Sequence, residues 1–371
     1  MDNKVVTTIL GAAALTGSAF AGEVMTPVEE TGAIFKAKQK ETVEVRFNGR
    51  LQMQYDALQG ERKESGVETD LNSTNHFYFR RLFFGAKVKL QNGWYGETVF
   101  DFAGDENPEV AFDKAYIGYK TNDAFDLKLG FVKVPWGYEE TSSSSSIPTI
   151  ERSAANRFFA DDLDFAARHT GVHVGGDLGG GFSYATSLTN SAQGEGSRLG
   201  GDAAADNDIA AFGRLQWEAN DFLVGADYGH QWNNLVTGDN MQAWTAYATY
   251  DVAGFNILGE YFGAGMADAG DSTGYAVRVS YRYDKWEPVY RWSYLENDEF
   301  EIDTDELIRR APVTKVTGPD SEIQSHYFGL NYHHSKAVKF MAGYEHAWAE
   351  NGAKDQKDMI GGFRARVQLL W

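Results

Sequence analysis

Charged and hydroxyl side chains whose spacing could act on a solute gather in one stretch of this sequence. Residues 134–167 carry Glu139, Glu140, serines at 142–146, Glu151, Arg152, Arg157, Asp161, Asp162 and Asp164. Opposite charges facing each other across a water-filled passage set a transverse field, and rings of Arg or Lys favour anions. The stretch is too long for an idle connection, which predicts a loop that folds back to narrow a channel. A second cluster, Glu296, Asp298, Glu299, Glu301, Asp303, Asp305 and Glu306, has spacings that could hold a hard cation through oxygen ligands. It lacks a glycine turn and a bidentate glutamate, so a solvated acidic loop is the expectation and no metal site is assigned. His326, His333 and His334 on one predicted strand, and His169 and His173 on another, read as girdle or lumen residues. No G-x-S-x-G, H-E-x-x-H or phosphate-loop pattern occurs. Absence of Cys removes thiol nucleophiles, Cys-ligated metals and disulfides. No enzyme and no cofactor are expected.

The elements that must position these residues alternate. From Thr42 to Asp56, Val43, Val45, Phe47, Gly49, Leu51, Met53 and Tyr55 share one parity, and the polar residues share the other. The last segment repeats this with Phe363, Ala365, Val367, Leu369 and Trp371 against Arg364, Arg366 and Gln368. Fourteen further segments lie between them, at 76–91, 94–103, 108–120, 125–133, 168–177, 182–190, 207–218, 221–232, 241–252, 254–264, 272–284, 286–296, 322–334 and 337–348. Long gaps (57–75, 104–107, 134–167, 191–206, 233–240, 265–271, 297–321, 349–358) take turns with short ones such as Asn92-Gly93 and Ala219-Asn220. Long loops at one end and short turns at the other, on an even number of strands, are the pattern of an outer-membrane barrel. The fold expected is all-β, a sixteen-stranded antiparallel transmembrane barrel whose third loop folds inward. Tyr55, Tyr78, Tyr119, Trp232, Trp244, Trp292, Trp348 and Trp371 are expected to form its interfacial girdles. Parity assigns Arg46, Arg50, Arg81, Lys87, Lys89, Lys128, Arg214, Arg278, Arg282, Arg291, Lys339, Arg364 and Arg366 to the lumen. The wall then reads as basic and the loops as acidic.

Composition agrees. The chain has 371 residues, 40 Gly, 24 Phe and a formal charge of −19, a balance that argues against nucleic acid. The apolar run Val5–Phe20 ending Ala19-Phe20-Ala21 reads as a signal peptide over 1–21, followed by a periplasmic tail over 22–41 and the barrel over 42–371. Nine Trp and nineteen Tyr keep an alternative open: a secreted or outer-membrane β protein that binds glycans or acts as an adhesin.

Four motifs in order carry a resemblance: Gly49-Arg50-Leu51-Gln52, Phe79-Arg80-Arg81, Asp113-Lys114-Ala115-Tyr116, and the segment FVKVPWGYEETSSSSSIPTIERSAANRFF at 131–159. Together they resemble the phosphate-selective porin O and P family. The resemblance implies a trimeric sixteen-stranded pore in the bacterial outer membrane, surrounded by lipid and lipopolysaccharide, passing small hydrophilic or anionic solutes by passive diffusion. It also implies anion contacts at Arg50 and Arg81 on the wall and at Ser143, Ser144 and Arg152 on the loop, with Asp113 in support. Glu140 departs from the family, whose phosphate-specific members would place a lysine there. At roughly 5 Å and an effective dielectric near 20, one such charge is worth about 3 kcal/mol. Weak anion preference with little phosphate specificity is therefore expected.

Overall fold

In the computed structural model the alternating segments pair into one antiparallel sheet that closes on itself. The residues described are 43–103, 110–163, 165, 168–190, 209–232, 240–266, 271–298, 302–303, 315–316, 321–351 and 354–371. Eight strands come first: β1 Val43–Glu64, β2 Thr74–Leu90, β3 Trp94–Asp101, β4 Ala111–Asn122, β5 Phe125–Lys133, β6 Arg168–Gly179, β7 Phe182–Asn190 and β8 Ile209–Ala219. Eight more follow: β9 Phe222–Gln231, β10 Met241–Val252, β11 Phe255–Met266, β12 Ser272–Tyr281, β13 Trp286–Asn297, β14 Ser321–His333, β15 Val338–Asn351 and β16 Gln356–Leu370. Each pairs with the next, and β16 returns to β1, with Arg50 opposite Leu370 and Glu64 opposite Gln356. The short strand Val67–Asp70 extends the first hairpin, and Ile302–Asp303 pairs with Lys315–Val316. The signal-peptide and tail segments, and Glu299, Glu301, Asp305 and Glu306 of the acidic loop, lie outside the described residues.

The two faces of the sheet are inverted relative to a water-soluble barrel. Phe47, Phe77, Ile117, Leu188, Leu215 and Phe328 stand exposed on the outside, while Gln52, Gln54, Asp56, Asn331 and Arg364 are buried inside. An apolar exterior around a polar interior, with every barrel edge paired, suits hydrocarbon surroundings. Aromatic residues ring the short-turn end in pairs, Trp94 with Tyr119 at 4.9 Å and Trp286 with Tyr332 at 4.8 Å between ring centroids. The Asn92-Gly93 turn needs its glycine: φ is 91° there, and a Cβ would come within 2.7 Å of the Lys120 carbonyl oxygen.

The structure departs from simple alternation in instructive places. β1 runs on to Glu64, so much of the expected 57–75 loop is a hairpin, and β15 and β16 likewise consume most of 349–358. Tyr78 points inward, its hydroxyl donating to Asp56 at 2.8 Å, and does not join the girdle. Two bulges break the parity. Between β1 and β2, Gln52 faces Arg81 but Met53 faces Phe79, which leaves Arg80 as the extra residue. Between β3 and β4, Val99 faces Lys114 and Phe100 faces Phe112, leaving Asp113 extra. A bulge sets two residues against one and re-aims a side chain. Consecutive residues thus both turn inward, Arg80 with Arg81 and Asp113 with Lys114.

Residues 134–165 form an arm lying against the inner face, with two short helical turns, α1 Tyr138–Thr141 and α2 Ala154–Arg157, and a π turn Phe158–Asp162. Trp136 and Phe159 pack on Phe262 of β11 at 5.8 and 5.5 Å, and the buried cluster includes Phe158, Leu163 and Phe165. The wall makes room with small residues, among them Ala243, Ala264 and Ala276. At Gly274 of β12 a Cβ would come 3.0 Å from Ala155 and 3.2 Å from Phe159. Gly274→Leu should therefore overpack the seat of the arm, at a cost of about 1–3 kcal/mol. We expect a lower melting temperature and a raised, noisier single-channel conductance with an unchanged β-type circular dichroism spectrum; unaltered conductance would mean that the arm is not seated on β12.

Candidate functional site

The arm is held by hydrogen bonds that run around the barrel interior. At its start, the backbone N–H of Gly137 donates to Asp227 at 2.8 Å, and those of Tyr138 and Glu139 donate to the two oxygens of Glu260 at 2.5 and 3.1 Å. Arg214 of β8 holds Asp227 and also donates to the Gly137 carbonyl at 3.1 Å. The serine run crosses to β1, where Arg50 donates to Ser144 and, at 3.2 Å, to Ser143. Lys339 of β15 donates to the Ser145 and Ile147 carbonyls, each at 3.1 Å, and Asn331 of β14 to that of Pro148 at 2.7 Å.

Glu151 is the deepest anchor. Arg80 donates to it at 2.9 Å and Arg366 at 2.5 Å, while its backbone carbonyl accepts from Arg291 at 2.6 Å. Burial alone would raise its pKa, but Arg80, Arg366, Arg81 and Arg364 outweigh that and hold the carboxyl well below its usual range. Nearby, Arg364 bridges Asp56 at 3.0 Å and Glu345 at 2.8 Å, and Arg291 shares Glu345 at 2.7 Å. The guanidinium of Arg50 lies 5.1 Å from the Phe83 ring centroid, which fixes its plane toward the serines.

Several expectations from the sequence change here. Arg152 does not face Glu140 across a passage. It bridges Glu140 at 3.0 Å on the same arm and donates to the carbonyls of Glu139, Glu140 and Ser142, each at 3.1 Å, so it braces the loop. Glu140 is also bridged by Lys133 at 2.6 Å. Burial would raise its pKa, yet Arg152 and Lys133 overcome this and lower it; a carboxylate held by two cations projects little free charge. The wall is less basic than parity implied, because register brings acids beside its cations: Asp227 to Arg214, Glu97 to Lys114 at 2.9 Å, Asp113 to Arg168 at 2.8 Å. Lys128 pairs with Asp126 at 3.4 Å. Arg278 lies near Glu139, at 3.9 Å. Arg46 and Arg282 sit exposed at the short-turn rim, where Arg46 pairs with Glu44, and Arg364 is sealed under the arm. Arg80, excluded by parity, is the residue that sequence reasoning missed; only its adjacency to Arg81 pointed to it.

The arm covers the inner face unevenly. None of its described hydrogen bonds reaches β3 or β4, and inner residues of that sector, Lys87, Glu97 and Lys114, retain solvent exposure, while Asp56, Arg291 and Asn331 under the arm are buried. The open lumen therefore runs beside β3 and β4. It is flanked by Arg50, Ser143 and Ser144 on one side and by Asp113, Arg168 and Lys114 on the other; Arg50 lies within electrostatic range of Asp113 and Arg168. Among the described residues no carboxylate forms an ion pair with Arg50, Arg81 or Lys339.

A closed sixteen-stranded barrel with an apolar exterior and a loop packed inside has the architecture of an outer-membrane porin. Residues 45–210 match the family model described as phosphate-selective porin O and P. Porin O of Pseudomonas aeruginosa is 21% identical over 97% of each chain. Of solved structures, an anion-selective porin from Comamonas acidovorans superposes with a TM-score of 0.62 at 13% identity, covering 89% of this chain and 100% of that one. The trimer form of OmpT from Vibrio cholerae gives 0.54 at 14%, covering 89% and 99%.

Replacing Glu151 tests the anchor. Removing one partner of a buried ion pair costs about 3–5 kcal/mol, so Glu151→Gln should loosen the arm, seen as an open-channel current that is larger and flickers. The effect of acid has a defined sign. A carboxyl with a depressed folded pKa stabilises above its unfolded pKa and loses that contribution only as pH falls through the lowered value. Conductance should therefore hold from pH 7 through the ordinary glutamate range near 4.3 and change only below it; a transition centred there would show that Glu151 is not clamped.

Proposed function

We propose that this porin passes small hydrophilic solutes with a weak preference for anions and little discrimination of phosphate from chloride. The observation that carries the reading is the imbalance along the lumen beside the arm: among the described residues Arg50, Arg81 and Lys339 have no ion-paired acid, while Glu140, the carboxylate that would repel anions, is neutralised by Arg152 and Lys133. Charges in a narrow passage are screened less than those at the mouth, where the Debye length is about 8–10 Å at physiological salt. The net charge of −19, summed over the whole chain, therefore weighs less than these few cations. Ser143 and Ser144 add hydroxyls that can share an anion with Arg50. Both are already engaged by Arg50 itself, which favours passage over tight capture.

Residues 1–21 act on this reading as a signal peptide, 22–41 as a periplasmic tail, and 42–371 as the barrel, lodged among lipid and lipopolysaccharide as a homotrimer like the V. cholerae neighbour. Of the pore residues, Arg50, Ser143 and Ser144 meet solute, Arg81 and Asp113 shape the field, and Glu140 and Arg152 brace the arm. Lys87 and Lys128 line the approach.

Reversal potentials in planar bilayers under a KCl gradient check the reading. Wild type should be modestly anion-selective, and Arg50→Glu should move the channel toward cations. Glu140→Lys, which leaves three cations together, should strengthen anion preference while loosening the arm. A wild-type channel clearly selective for cations and unmoved by Arg50→Glu would overturn the assignment of the constriction.

A further inference from the structure

Below the arm, its underside and the turns at the short-turn end line an open cavity of about 600 Å³. Its roof is the Ser142–Pro148 segment and its floor the turn between β10 and β11, so its mouth opens at the short-turn end. Arg278 stands in its wall, almost fully buried. One guanidinium nitrogen donates to Asn256 at 3.2 Å, the nearest carboxylate oxygen, on Glu139, is 3.9 Å away, and Nε and Nη1 have no hydrogen-bond partner. Arg282, one turn-ward on the same strand line, donates only to the Asp284 carbonyl among the described residues. Facing them across the cavity are Asp221 and Asp251; Asn256 ties Asp251 to the arginine side, donating to it at 2.8 Å. The third acid, Glu287, is occupied by His333 at 2.8 Å and Asn331 at 3.0 Å. Ile147 and Pro148 of the arm supply apolar surface.

We propose that this cavity is a binding site for a small zwitterion of the amino-acid type, entered from the short-turn side. A carboxylate would satisfy the under-bonded Arg278 and reach toward Arg282, where charge-assisted bonds to a guanidinium are strong. An ammonium group would lie toward Asp221 and Asp251, and an apolar side chain against Ile147 and Pro148. A lone anion would meet the two aspartates uncompensated and a lone cation the two arginines, so the pocket selects for both charges on one molecule. The site goes beyond the channel reading and does not depend on ion selectivity.

Calorimetry on the whole protein in detergent tests it with three probes of similar shape: L-leucine, 4-methylpentanoate and 3-methylbutylamine. L-Leucine should bind and the two singly charged analogues should not. Arg278→Gln and, independently, Asp251→Asn, which leaves every arm contact in place, should each weaken binding about tenfold, the equivalent of 1.4 kcal/mol. In bilayers, L-leucine should reduce or modulate current only when added on the short-turn side. Equal binding of 4-methylpentanoate, or leucine binding unmoved by Asp251→Asn, would overturn the zwitterion site, as would absence of leucine binding. Leucine binding in a protein that shows no conductance would sink the channel reading and leave the pocket standing.

Discussion

Inside hydrocarbon a backbone amide has no water to turn to, and each one left unpaired costs several kcal/mol. That constraint dictates the closed ladder from β1 to β16, because an open sheet would expose two edges to lipid. Closure in turn creates an interior, and sixteen strands make it too wide for wall side chains alone to fill. The polar parity of each strand is therefore free to face water or to be covered, and the arm decides which. Where it lies on β1, β2 and β8–β16 the wall groups must find partners on the arm or on each other; along β3 and β4 they keep their hydration.

The arm itself is built in two halves that dock by different physics. Trp136, Phe158, Phe159 and Phe165 bury apolar area against a wall of alternating large and small residues, Phe212, Met241, Phe262 and Leu295 beside Ala243, Ala264 and Ala276. The other half, from Ser142 to Arg152, offers carbonyls and one carboxylate to guanidinium and ammonium groups. Burying charges without partners is costly, and here Asp56, Glu345 and Glu151 sit between Arg80, Arg291, Arg364 and Arg366 so that each guanidinium meets at least one carboxylate. The apolar half positions the arm, and the ionic half fixes the height at which Ser143 and Ser144 meet Arg50.

Strand number, facing and the special status of 134–167 were legible because period-two alternation is a strong local signal, as in Val43 to Tyr55. The bulges were not. A single extra residue at Arg80 or Asp113 leaves no mark on composition, yet it reverses the phase of everything on one side of it. Cross-strand and arm–wall pairing was equally hidden: Arg364 reads as a lumen cation from parity, and only the register that sets it beside Asp56 and Glu345 shows that its charge is spent. Arg152 and Glu140 are twelve residues apart in sequence, and nothing local says that the arm doubles back to join them.

The seam of the barrel has a consequence for the order of assembly. Gln52 of β1 and Gln368 of β16 share a hydrogen bond across 316 residues of chain, and contacts of such sequence separation form late because the loop-closure entropy must be met first. The arm lies between them in sequence and ends up enclosed by the wall they complete. Its apolar seat on β10–β12 is built from consecutive strands and can form before the seam zips, so the arm can dock on the wall ahead of closure. Mutations that slow docking of Trp136 or Phe159 would then act on the yield of correctly closed barrels more than on the stability of those that do close.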